Sequence, residues 1–224
     1  MVPSRLIRRL RPLAALLLTC ALTPSAVEGQ TPLPASPPLP VIPAGGPVVR
    51  LQLRVYDGVD DVTRDTRVRL YRTGQRNEPI PVALGGDQAW EADVPVGLYD
   101  VQALRERAGG VPNIRWVEHL LVQKYPDEFG RHLQVVNLRN GFGALQIRPE
   151  DGTTGPAGWS AVATTPGSPE SEIAKARPFG PDLLLVAPAG TYDVKVQVPT
   201  AAPAWLTGLE IPDQRTRLKT WPLR

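Results

Sequence analysis

Hydrophobic and polar positions alternate with a period of two along most of the chain beyond residue 47. Val49, Leu51, Leu53 and Val55 interleave with Arg50, Gln52, Arg54 and Tyr56, and Val68 and Leu70 interleave with Arg67, Arg69 and Tyr71. Successive side chains of a strand point to opposite faces, so this pattern predicts half-buried strands with a polar side toward solvent. Further strands are predicted over residues 79–84, 88–94, 98–106, 114–123 and 131–138, divided by turn pairs such as Asp57-Gly58, Thr73-Gly74, Gly85-Gly86 and Gly109-Gly110. A second set follows at 143–149, 158–164, 182–187, 191–198, 204–211 and 215–221. Between them, residues 165–181 carry Pro166, Gly167, Pro169, Pro178 and Gly180, which predicts a long loop with one short edge strand at 172–177. No convincing helical pattern appears.

The two sets are related. Residues 51–58 read LQLRVYDG and residues 145–152 read LQIRPEDG; residues 94–101 read VPVGLYDV and residues 187–194 read APAGTYDV. The offsets are 94 and 93, and two blocks in the same order at nearly one offset indicate an internal duplication. A weaker echo pairs Trp116 with Trp205 at an offset of 89, implying a loop four residues shorter in the second copy. The fold class that follows is all-β, with two tandem antiparallel β-sandwich domains over 48–139 and 140–224. Each is large enough to bury a core. The junction from Asn140 to Gly143 is short, so the two should meet in a fixed orientation.

The repeated block has a physical reading. Tyr192, Val194, Val196 and Val198 share one strand face and should enter the core, with Thr191, Asp193, Lys195 and Gln197 on the other. Pro188 and Gly190 make a tight connection in which the glycine can take positive φ, and a buried Tyr192 needs a backbone partner for its hydroxyl. Pro95, Gly97, Tyr99 and Val101 repeat the scheme. This Pro-x-Gly-x-Tyr-x-Val element, preceded by a strand ending in Asp-Gly, resembles the carboxypeptidase regulatory-like and PEGA-type domains. The resemblance implies sandwiches of transthyretin-like or immunoglobulin-like type, acting as a non-catalytic extracytoplasmic module of a kind sometimes assigned to carbohydrate binding.

The chain ends change how its charge is read. Arg5, Arg8, Arg9 and Arg11, an apolar run from Leu13 to Leu22 and small residues from Thr23 to Gly29 predict a signal peptide over 1–29, with cleavage after Gly29, or after Ala26 as the alternative. The apolar run is too short for a permanent span. The whole chain has a formal charge of +3, yet without the signal it retains 21 basic and 21 acidic residues and is neutral. That excludes an electrostatic footprint for nucleic acid. Cys20, the single cysteine, lies within the signal, so no disulfide framework is expected, and Leu17-Leu18-Thr19-Cys20 only faintly resembles a lipoprotein signal. Residues 30–47, with seven prolines and no charge from Thr31 to Pro47, predict an extended linker. The expected location is periplasmic or extracellular, with association to the outer surface as a variant.

Candidate chemistry is sparse. His119 and His132 are the two histidines, and no Gly-x-Ser-x-Gly nucleophile elbow accompanies them. Cysteines are absent beyond the signal and the histidines lack ligand spacing, so neither catalytic nor metal residues are assigned and no cofactor is expected. The acidic turn with Asp57, Asp60, Asp61 and Asp65 could offer oxygens to calcium, but it lacks the EF-hand spacing, and Arg64 and Arg67 would neutralise it. Among the tryptophans, Trp90, Trp116 and Trp205 are expected in cores, while Trp159 and Trp221 are the least constrained. The expected function is an exported, non-enzymatic structural or binding module at the cell envelope, with a protein or glycan partner. The alternative is a secreted hydrolase, or an accessory domain of one, with His119 or His132 in the site. Because the copies share scaffold, activity is expected where they differ: near Asn113 to Trp116 and in residues 165–181.

Overall fold

The structure, a computed structural model, describes residues 46–106, 110–124, 131–150, 155–199 and 201–222. The signal peptide, Cys20, most of the Pro-rich linker and the second Asp-Gly pair, Asp151-Gly152, lie outside the described residues. The described residues are mostly strand and belong to one compact unit. No helix among them is long and apolar enough to cross a membrane.

The first half contributes β1 (Val48–Asp57), β2 (Asp60–Asp61), β3 (Arg67–Arg72), β4 (Ala83–Leu84), β5 (Trp90–Pro95), β6 (Gly97–Arg105), β7 (Asn113–Val122) and β8 (Arg131–Asn137). The second contributes β9 (Phe142–Pro149), β10 (Ser160–Thr165), β11 (Ser168–Lys175), β12 (Arg177–Phe179), β13 (Asp182–Pro188), β14 (Gly190–Gln197), β15 (Ala204–Ile211) and β16 (Thr216–Trp221). Four sheets result. One is ordered β2-β1-β5-β4, with β8 also paired to β1, and a second is β3-β6-β7. The other half repeats them as β12-β13-β9-β16 and β11-β10-β14-β15. The duplicated sequence is therefore a duplicated topology. Each sandwich departs from a purely antiparallel scheme at one place, because β8 runs parallel to β1 and β16 runs parallel to β9.

Each half has its own apolar core. The first gathers Leu51, Leu53, Leu70, Tyr99, Val101 and Val122, and the second gathers Leu145, Ile147, Leu183, Leu185, Val194 and Ile211. Trp221 is buried in the second core and stacks on Trp159 with ring centroids 5.9 Å apart, so the two tryptophans that looked least constrained are packed there. The expected long loop at 165–181 with a short edge strand at 172–177 is instead two strands, of which β11 overlaps the expected strand and does lie at a sheet edge, and β12 is added. The prolines and glycines of this segment are accommodated by a turn at Gly167 and by register shifts between β10 and β11.

Beyond the exposed Arg50, the polar side of β1 does not face solvent. Gln52, Arg54 and Tyr56 are as buried as the core residues between them, because the inner sheets of the two halves lie against each other. Tyr56, Ala89, Leu133 and Val135 meet Ala144, Phe179, Leu184 and Val186 in a third apolar cluster. Several polar groups in this region are paired. Arg148 donates from Nε (3.1 Å) and Nη2 (3.0 Å) to Asp182, Gln146 donates to the same carboxylate, and Arg54 lies 4.5 Å above the Phe179 ring. Removing one member of a buried ion pair costs about 3–5 kcal/mol, whereas replacing both by apolar groups is often near neutral. Asp182→Ala should therefore lower the unfolding free energy by about 3 kcal/mol in urea denaturation. Asp182→Leu combined with Arg148→Met should recover most of that loss.

Candidate functional site

The repeated Tyr-Asp dipeptide organises the outer sheets. Tyr99 donates its hydroxyl to the Pro95 carbonyl at 2.6 Å and Tyr192 to that of Pro188 at 2.8 Å, which supplies the backbone partner expected for each ring. Gly97 and Gly190 do not take positive φ. A Cβ on either would only rest against the tyrosine ring at 3.4–3.6 Å, so the turn holds an ordinary backbone with the aromatic ring over it.

The aspartates act on neighbouring strands. Asp100 Oδ1 accepts the His119 N–H at 3.1 Å and the Thr73 hydroxyl at 3.1 Å, and Oδ2 accepts Arg76 Nε at 3.0 Å. Asp193 accepts the N–H of Gly208 at 2.9 Å and of Gly167 at 3.1 Å. Each carboxylate thus ties the turn after one flanking strand to a bulge in the other. The bulge appears as a register shift between Tyr99 and Val101 in one copy and between Tyr192 and Val194 in the other. The drop in offset from 93 to 89 arises beyond this shared bulge. Beyond the shared rungs, β6 and β7 continue through Leu104↔Ile114 and Arg105↔Asn113, while β14 and β15 stop at Val196↔Ala204. The four additional residues are two further rungs of sheet; Asn113 to Trp116 lie in a strand and not in a loop.

The bulge sets which side chains face outward. Trp116 pairs with Gln102 and Trp205 with Lys195, one position out of phase with core valines Val101 and Val194. Both are therefore on the outer sheet faces, which corrects the expectation of core packing. Trp205 is 41% exposed. Trp116 lies 5.8 Å from Tyr71, with the Arg76 guanidinium 4.4 Å from its ring. Trp90 does pack against the first core and donates its indole N–H to the Thr63 carbonyl at 3.1 Å.

At the bulge the two copies differ. Gly208 has φ +64°, a region that costs a glycine nothing, and its counterpart His119 holds φ +55° with a side chain attached. The imidazole stands at a cleft of about 390 Å³ whose walls include Trp116, Leu121, Gln123, His132, Gln134 and Gln214. Gln214 is a second non-glycine at positive φ, +57°. Its amide donates to the Arg139 carbonyl at 2.6 Å, and its Oε1 is buried without a hydrogen-bond partner. Strained backbone clusters at sites where geometry is used. Both histidines singled out from the sequence line this one cleft. His132 is buried on β8 with Nδ1 3.4 Å from the N–H and carbonyl of Gln123, and burial pushes its pKa below the ordinary histidine value. Gln123, Gln134 and Gln214 carried no sequence signal, since they come together only when β7, β8 and the turn before β16 meet.

The acidic turn is occupied from within. Asp57 accepts Arg105 at 2.9 Å and Arg139 at 2.7 Å, and Asp61 accepts Arg54 at 3.3 Å and the Thr63 hydroxyl at 2.6 Å. Arg67, expected to neutralise this turn, pairs with Glu106 at 3.5 Å. Among the described residues no three His, Cys, Asp or Glu side chains gather as a metal site.

These features define an all-β sandwich protein with a cleft lined by two histidines, three glutamines and the charged Glu118, Asp213 and Arg215. No family model matches the chain, and no curated protein matches it. Among solved structures it is similar to a candidate adhesin from Bacteroides ovatus ATCC 8483, at 11% identity and TM-score 0.29, over 71% of this chain and 81% of that one. It is also similar to the Bacillus anthracis TIE protein, at 16% identity and TM-score 0.27, over 79% of this chain and 33% of that one. A third is the tip fimbrial protein Mfa3 from Porphyromonas gingivalis with C-terminal truncation, at 10% identity and TM-score 0.26, over 79% and 94%. At scores this low the likeness assigns neither fold nor function.

His119→Gly should relieve the backbone and raise the unfolding free energy by about 0.5–1 kcal/mol, read from denaturant midpoints at constant slope. The acid response should expose the aspartate clamp. Burial pushes the Asp100 carboxyl up, but the bonds from His119, Arg76 and Thr73 outweigh it and hold the pKa below the usual carboxylate value. Its stabilisation is therefore present at neutral pH and lost as pH falls below about 4, through the lowered folded value. Asp100→Asn should flatten that part of the stability-versus-pH curve.

Proposed function

We propose that the chain is an exported, non-catalytic binding protein of the cell envelope, made of two tandem domains of the carboxypeptidase regulatory-like or PEGA type over 48–139 and 140–224. It takes a neutral glycan in the His119 cleft. The observation that carries this reading is the histidine at the bulge where the other copy has Gly208: one copy accepts backbone strain to place an imidazole at a cleft. The lining favours a hydroxyl-rich ligand. Side-chain amides offer donors and acceptors together, Gln214 Oε1 has no internal partner, and Trp116 and Leu121 supply apolar surface for a sugar face. At roughly 30 Å³ per non-hydrogen atom, 390 Å³ has room for about one hexose ring.

The test is an array of neutral and acidic envelope oligosaccharides, with a set of unrelated peptides alongside, probed with the chain from residue 30. Retention of a neutral oligosaccharide is expected, weakened at least tenfold by His119→Gly and by Trp116→Ala while both variants keep their strand signature. Retention of peptides alone would replace the glycan by a protein partner. Turnover of a retained oligosaccharide that His132→Gln abolishes would replace the binding role by the hydrolase alternative.

A further inference from the structure

We propose a second, independent binding site for a small apolar carboxylate in a cavity at the margin of the contact between the two inner sheets. The cavity holds about 290 Å³ and is lined by Tyr56, Val59, Ile173, Lys175, Arg177 and Val186 among others. Its walls mix aliphatic side chains with cationic ones. Val59 is 49% and Ile173 43% exposed, so two large aliphatic side chains stand at its mouth with nothing covering them.

Its charge has one sign. Every charged residue of the lining is a cation: Lys175, whose partner is an exposed Glu172 at 2.9 Å on the same strand, and Arg177, which has no carboxylate within 4.0 Å among the described residues. One further donor sits in the wall. The Tyr56 hydroxyl is buried with its oxygen turned to the Arg54 guanidinium, which can only donate, so the hydroxyl hydrogen is left without an acceptor. Buried donors left unsatisfied are uncommon in folded proteins and favour an acceptor nearby. A cavity that joins aliphatic walls to an arginine with no carboxylate beside it, and that has no lining acid, selects a ligand with an aliphatic or aromatic body and a carboxylate head.

The location has a basis in the duplication. Ile173, Lys175 and Arg177 come from residues 165–181, the segment in which the second copy departs from the first. The first copy has no strand at the corresponding edge, since β11 has no partner in the β3-β6-β7 sheet. The cavity volume limits the ligand. At roughly 30 Å³ per non-hydrogen atom it accommodates about ten, the size of octanoate.

Calorimetric titration of the chain from residue 30 with octanoate, octanol and octyltrimethylammonium tests the site. Octanoate should bind with a dissociation constant on the order of 0.1 mM, octanol at least tenfold more weakly, and the ammonium compound not measurably. Arg177→Glu and Lys175→Glu, both on exposed positions, should each weaken octanoate tenfold without moving the thermal midpoint, and His119→Gly should leave it unchanged. Equal binding of octanoate and octanol, or no binding of octanoate, would overturn the proposal. Loss of octanoate binding in His119→Gly would move the ligand to the other cleft and overturn it as well.

Discussion

Two carboxylates, Asp100 and Asp193, determine how the outer sheets are built. Each sits on the central strand of its sheet and accepts main-chain N–H groups from a bulge on one side, together with groups from the turn on the other. A charged acceptor is roughly twice as strong a hydrogen-bond partner as a neutral one, and two or three donors converge on each. The bulge kept in place this way turns Trp116 and Trp205 outward and twists an exposed edge strand, which is a means of blunting edge-to-edge pairing. In one copy it also delivers His119 to the cleft.

The second constraint is the contact between the inner sheets. It asks each of β1, β9 and β13 to be buried on both faces, so these strands need an apolar set for their own core and a second set for the opposite sheet. The second set is only partly apolar. Arg148, Gln146 and Asp182 form a buried network, and Arg54 reaches Phe179 from the other half. Such groups add little net stability over hydrophobic replacements, but they penalise any register that leaves them unpaired. A one-residue slip of β1 would exchange Val55 for Arg54 in the core.

The period-two pattern and the repeat made the strands, their order and the duplicated architecture legible, because both depend on local alternation. The structure departs from that pattern where distant contacts or backbone irregularities override local alternation. Arg50 is exposed as its pattern implied, but Gln52, Arg54 and Tyr56 read as a continuation of that solvent face because a sequence does not show that a second sheet lies over them. Trp116 and Trp205 were correctly matched to each other but assigned to the core, since a bulge shifts the phase of alternation by one without leaving a signature in residue type. Residues 165–181 read as a loop because proline and glycine are also tolerated at edge strands and bulges, which is where they occur here. His119 and His132 could be named, but their shared cleft could not, as it depends on glutamines contributed by three separate segments.

The parallel closing strands bear on how the chain reaches this state. Val55 pairs with Val136 and Ile147 with Lys219, so the inner sheet of each half stays incomplete until its last strand has been made. Pairings of that sequence separation close slowly, because the loop entropy must be met before any contact rewards it. A chain emerging from its amino end would therefore remain an open, threadable meander through most of its first half. When β8 does close that half, Tyr56, Leu133 and Val135 still face outward as an apolar surface until β9 and β13 arrive. Folding order thus makes the second copy a cover for the first.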